Sequence, residues 1–431
     1  MRQTIAKKIV LVGTAVAAVA LAGCLGCAAQ TQQPADTKTQ QPAAQEQPAK
    51  ASEGKAPAAT TATADTPYEK KTLAEWVELY PNEGNSYMES KMTNTYEAFS
   101  GACVKAFGGE DAPNACSACH AREHFAELYD AQGEALLAGN AKENSAYWSN
   151  CTNCHVGDPG DGVVKGGNLY GELTSASAAK LFPAEDYVCG QCHSMFAGTA
   201  YLEDDYKGID QYKYGYEPEE ILRAMKEYYE AKPLTETEIT AGMVGVPMLD
   251  SEIDTVLYMT DACTSVEMFQ DGNHQKMGLT CTDCHMPQTK SEDGDTFTSH
   301  NMTEDVFENP DALAKCMTCH KSQGIENEDA MKSFVQDRMT ELANAQAAAK
   351  ENLAEFHTEL ANAVTNDGVD EERLQTAKDA YNLANVYIQY QAGDATRSAA
   401  DGKMAAMNFT KCMDMLDKAD AAIAEGMAAL A

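Results

Sequence analysis

Cys281-Thr282-Asp283-Cys284-His285 is a Cys-x-x-Cys-His stretch, and the chain carries it five times over. The other copies are Cys116-Ser117-Ala118-Cys119-His120, Cys151-Thr152-Asn153-Cys154-His155, Cys189-Gly190-Gln191-Cys192-His193 and Cys316-Met317-Thr318-Cys319-His320. Two cysteines at this spacing form thioethers to the two vinyl groups of one porphyrin, and the adjacent His meets the iron as proximal ligand. Roughly a hundredth of one such motif is expected by chance from this composition. Zinc knuckles or disulfides need no His after every second Cys. Five covalent c-type haems are therefore expected, and each is itself a large apolar core element.

Nine histidines exist, so the ligand count is nearly complete. Five are proximal, namely His120, His155, His193, His285 and His320, which leaves His124, His274, His300 and His357. Five irons with two axial ligands each need five more donors, so at least one iron lacks a distal His. It is then open to substrate, or bound by Met or Lys. His124, four residues after His120, has three readings: a distal ligand of a neighbouring haem, a proton donor beside the first haem, or an exposed helix residue. His357 reads as a structural residue of a helix.

At the N-terminus, Arg2, Lys7 and Lys8 precede an apolar run at residues 9–22, the pattern of a secretory signal. The run ends in Leu21-Ala22-Gly23-Cys24, which looks like a bacterial lipobox with Cys24 as the lipidated mature N-terminus; an uncleaved signal anchor is the other reading. Residues 1–23 are thus a lipoprotein signal peptide, and the mature protein is expected on the extracytoplasmic side of a membrane, in the periplasm or at the cell surface. Residues 24–67 are Gln, Pro, Ala, Thr and Lys with almost no large apolar side chain, a composition that cannot offset its ordering entropy and reads as a flexible tether. With 66 acidic against 32 basic residues the net charge is −34. That argues against nucleic acid or anionic lipid as a partner surface, and it fits either a basic redox partner or simple solubility.

Residues 68–330 carry all the motifs among Gly, Asn and Asp, with scarce strand-like alternation. In 331–431 the apolar residues fall at helical spacing among Ala, Glu, Lys and Leu, with helices expected over 331–364, 371–390 and 403–430 and a loop at Asn366-Asp367-Gly368. The expected fold is mostly α with little β: a multihaem c-type cytochrome body with long C-terminal helices packed on it.

From about Tyr80-Pro81 to the C-terminus this pattern resembles the ammonia-forming, pentahaem cytochrome c nitrite reductase family. The resemblance rests on the order and spacing of the five motifs, on Cys189 through His193, on Cys281 through His285 followed by Met286-Pro287, and on the long helices after His320. It implies that His274, seven residues before the fourth motif, is distal to the fifth haem. It also implies that His300, fifteen residues after His285, is distal to the second. The family's distal positions for the third and fourth haems fall at Met92 and Met404, which either ligate iron through the thioether or merely pack. The family pairs two subunits through its long C-terminal helices, so a homodimer is implied.

The departures bear on activity. His120 stands where the family's catalytic haem usually has Lys. Met195 and Phe196 stand where it has a Glu-Tyr pair beside calcium, so no calcium ligand is assigned here. Cys263, or Ile253 on another alignment, stands for the catalytic His, and Cys103, Val104 and Lys105 occupy the region of the catalytic Arg. Cys103 and Cys263 form either a disulfide or a pair of substrate-facing thiols. Two functions fit. In one, an open first haem reduces nitrite to ammonium or reduces a related small oxyanion, with Lys105, His124 or Cys263 as proton donor. In the other, the same fold relays electrons between a membrane quinol oxidase and an extracytoplasmic reductase. Either requires a redox partner, a quinol oxidase module or a small cytochrome.

Overall fold

The computed structural model describes residues 71–94, 142, 145, 147–162, 164, 177–195, 209–233, 247–258, 263–366, 368–393 and 402–431. The chain divides into two units, Met1–Ala58 and Ala59–Ala431, and every described residue belongs to the second.

Helix α1 (Leu73–Leu79) starts at a capping box: Thr72 Oγ1 accepts from Glu75 N–H, and Glu75 accepts from Thr72 N–H at 2.7 Å. Pro81 then opens α2 (Pro81–Glu89), where its missing N–H costs nothing, and a 3₁₀ turn follows at Lys91–Asn94. Short helices α3 (Cys151–Cys154), α4 (Ala178–Leu181) and α5 (Ala184–His193) come next, and then α6 (Pro218–Ala231). Strands β1 (Met248–Asp250) and β2 (Thr255–Leu257) form an antiparallel hairpin with Met248 opposite Leu257. Helices α7 (Ser265–Phe269), α8 (Asn273–Lys276) and α9 (Cys281–His285) lead to a second hairpin, β3 (Gln288–Lys290) with β4 (Thr296–Thr298). Among the described residues these two hairpins are the only sheets.

Helix α10 (Pro310–His320) precedes three long helices, α11 (Glu328–Val364), α12 (Glu371–Tyr390) and α13 (Ala405–Leu430). They occupy the stretches where the helical spacing puts them, and the mostly α fold is as expected. The Asn327 side chain accepts from Ala330 N–H to start α11, and Asp370 does the same from Arg373 N–H for α12. Leu342, Val386, Tyr390, Met415 and Leu416 form one apolar core with Ile221 and Met225 of α6. Phe356, Leu360, Ala384 and Ile423 form a second. Burying each large side chain contributes about 1.5–3 kcal/mol.

Two local features tie this bundle to the motif-bearing region. Asn408 has non-helical backbone angles that kink α13; its Nδ2 donates to the Met268 carbonyl at 3.0 Å, holding α13 on α7. Past the end of α12, Gly393 adopts φ +74°, and its carbonyl accepts from Thr264 N–H at 2.6 Å. Among the described residues no helix is long and apolar enough to cross a membrane.

Candidate functional site

A Cys-x-x-Cys step places both thiols on one face of a single helical turn, and each described motif is built that way. Helix α3 is such a turn, capped by Asn150, with His155 N–H bonded to the Cys151 carbonyl at 2.9 Å. The third motif is the last turn of α5, the fourth is the whole of α9, and the fifth is the last turn of α10. Each of these proximal histidines therefore sits at or just past a helix C-terminus. Burial pushes the Cys151 and Cys284 side chains up to about 11 and raises Cys316, a measure of how far each is removed from water.

The third, fourth and fifth motifs touch one another in sequence. Cys189 of the third shares a thiol hydrogen bond with Cys281 of the fourth; this holds Cys281 far above, and Cys189 below, the usual thiol range. Burial first, and nearby His193 as well, hold the His285 ring below its ordinary pKa. Cys316 of the fifth motif lies close enough to Cys284 of the fourth to act on it electrostatically, adding to the effect of burial. Lys315, just ahead of Cys316, pairs with Asp283 inside the fourth motif at 2.8 Å. The fourth motif thus stands between the third and the fifth.

Two histidines from outside the motifs come to face motif histidines. His300, just past β4, lies with its ring centre 6.2 Å from that of His155. Its Nδ1 donates to the Thr298 carbonyl at 2.9 Å, which leaves Nε2 with its lone pair free for a metal. His274, on α8, lies with its ring centre 6.1 Å from that of His320. Burial first, and the neighbouring His274 next, lower the pKa of His320, so its ring is neutral and able to ligate. A metal bonded to two imidazoles at about 2 Å sets their ring centres about 6 Å apart. The residues present fit haem iron at both places.

Other candidate ligands and proton donors lie apart from these pairs. Met404 is buried with its side chain against Gly393, in the apolar core of the long helices. Met92 is half-buried in the 3₁₀ turn, its N–H donating to Ser90 Oγ at 3.1 Å. Cys263 is half-buried, and Ile253 is wholly buried in the second core. His357 bonds Asp250 of the first hairpin at 2.9 Å. Cys24, Cys103, Lys105, Cys116, Cys119, His120 and His124 lie outside the described residues.

Next to the third motif, Met195 is 1% exposed, and both of its backbone polar groups are bound: its N–H donates to Glu267 at 2.6 Å and its carbonyl accepts from Gln211 at 2.8 Å. Tyr212 also donates to Glu267, and burial pushes this carboxyl up to about 7. Calcium takes six to eight oxygen donors. Among the described residues no cluster of three or more His, Cys, Asp or Glu offers a metal site. Glu267 and Gln211 carried no signal in the sequence. Asp283 and Lys315 did, since each lies in or beside a haem motif.

The sequence profile of the cytochrome c552 family matches residues 30–431. The fold is similar to that of a cytochrome c nitrite reductase from Desulfovibrio desulfuricans, described for two calcium sites in its catalytic subunit. The TM-score is 0.59 at 15% identity, covering 84% of this chain and 86% of that one.

Proposed function

Since the chain belongs to the cytochrome c552 family of c-type haem proteins, we propose that it carries five haems and reduces nitrite to ammonium, or a related small oxyanion, at the first of them. The observation that carries this reading is the histidine count. His274 and His300 face motif histidines, and His357 is engaged by Asp250. Only His124 is left to serve the first, third and fourth irons, so at least two of the five have no distal His. An iron without a sixth protein ligand is where an oxyanion binds.

Bound haem supplies single electrons and a Lewis-acidic iron; the chain's own groups do the rest. His120 would hold the first iron. Lys105, His124 or Cys263 delivers protons to the oxygens that leave as water, in place of the family's Tyr, His and Arg. With the fourth motif standing between the third and the fifth, the bound haems would form a path for electrons toward the first. Export through residues 1–23, an acyl anchor on Cys24 and the tether of residues 24–67 would present this body to a quinol oxidase module or a small cytochrome at the membrane surface.

The relay reading has one specific observation in its favour. Ile253, one of the two positions standing for the catalytic His, is apolar and wholly buried, so it offers no proton. Spectra of the oxidised and reduced protein with nitrite and cyanide separate the two. A high-spin iron that binds either ligand, with ammonium formed under a reduced dye, supports the reductase. Five low-spin, ligand-inert haems leave the relay.

A further inference from the structure

Asp186 lies on α5, three residues ahead of Cys189, and is 1% exposed. Its Oδ1 accepts from Cys281 N–H at 3.3 Å and stands 3.5 Å from Cys281 Sγ. Asp186 and Cys189 lie three apart on one helix, so one buried carboxylate stands beside the first cysteine of both the third and the fourth motifs. Among the described residues no Lys or Arg pairs with it; Lys315, beside the fifth motif, is engaged by Asp283. A buried charge is screened far less than one in water.

The field of Asp186 opposes negative charge at both sulfurs. A haem held by these sulfurs that accepts an electron would gain negative charge within reach of the same field, so the field would oppose its reduction. We propose that Asp186 is a tuning residue that holds the haems of the third and fourth motifs at lower potential than a neutral side chain would. This rests on the pentahaem reading above. Its effect is to make those two haems stronger donors toward the first.

The test is Asp186→Asn in the full-length, haem-loaded protein, with haem counted as pyridine haemochrome and potentials taken by spectroelectrochemistry at fixed ionic strength. The expected result is an unchanged haem count and at least one haem whose reduced-to-oxidised ratio at a given potential rises about tenfold, about 59 mV for one electron. Asp186→Glu, which keeps the charge, should stay close to the wild type. Unmoved potentials in fully loaded Asp186→Asn overturn the proposal. Loss of haem from both Asp186→Asn and Asp186→Ser also overturns it, because the carboxylate would then serve assembly. A wild-type protein without five haems fails the pentahaem reading instead, and the haemochrome count reveals that before any potential is measured.

Discussion

The imidazoles of His274 and His320 stand 6.1 Å apart, centre to centre, with their planes crossed at 65°. Aromatic rings pack anywhere between about 4.5 and 7 Å, so one such distance alone says little. A second pair, His155 and His300, reaches 6.2 Å from quite different elements, a helix end against the segment past a hairpin. In both pairs one ring belongs to a haem motif and the other does not. That asymmetry is what a proximal and a distal ligand require, and simple stacking has no reason to produce it twice.

Replacing His274 by Ala should remove the sixth ligand of the fifth haem. The expected outcome is one haem converted from low to high spin, counted by electron paramagnetic resonance, with the haemochrome value unchanged because both thioethers and His320 remain. His300→Ala should do the same at the second haem, and the double variant should convert two. A spin count that stays at the wild-type value in either single variant refutes that pairing.

Glu267 makes stability depend on pH in an unusual direction. Burial raises its carboxyl from 4.5 to about 7, so between those values the folded state holds a proton that the unfolded chain has lost. Stability should therefore be greatest below about pH 4.5 as far as this group is concerned, and fall as pH rises toward 7. The full change is of order 3 kcal/mol. Glu267→Gln should flatten this part of the profile, measured as guanidinium midpoints between pH 5 and 8. A wild-type profile that rises across that window, and is not altered by the substitution, counts against a buried protonated carboxyl.

Legibility in the residues tracks their physics. The three long helices announce themselves through apolar spacing and Ala content, since a helix of this length repeats its pattern many times. The motifs are legible because thioether chemistry fixes their spacing. His274 and His300 are a weaker case: nothing local marks them as ligands, and only their distance from the fourth motif, read through a resemblance, singles them out. Asp186 and Glu267 are invisible. Each is one acidic residue among 66, and what distinguishes it is burial, which depends on where distant segments pack. Met404 shows the opposite difficulty, because a thioether suits an iron and an apolar core equally well, and its packing against Gly393 emerges only in three dimensions.

Gly426 tests the second core. A methyl group there would run into the Phe356 ring and press on Ala380 Cβ at 3.0 Å, with Phe356 itself 1% exposed and unable to swing aside. Gly426→Ala would ordinarily favour a helix by about 1 kcal/mol. Here overpacking should outweigh that and cost about 1–3 kcal/mol. The check is a lowered guanidinium midpoint with unchanged haem content. A midpoint that rises would mean that α11 and α13 are not packed this closely.

His357 decides whether the histidine count holds. It is bound to Asp250 at 2.9 Å, with Glu252 at 3.9 Å on its other nitrogen, and 22% of its side chain reaches solvent. Partly exposed pairs of this kind contribute little, so His357→Ala should lower stability by less than about 1 kcal/mol. More telling is what should not change. If His357 ligates no iron, the variant keeps the wild-type proportion of low-spin haem and the wild-type response to cyanide. A new high-spin signal would instead make it a distal ligand, returning one donor to the irons counted as lacking a histidine and weakening the argument for an open first haem.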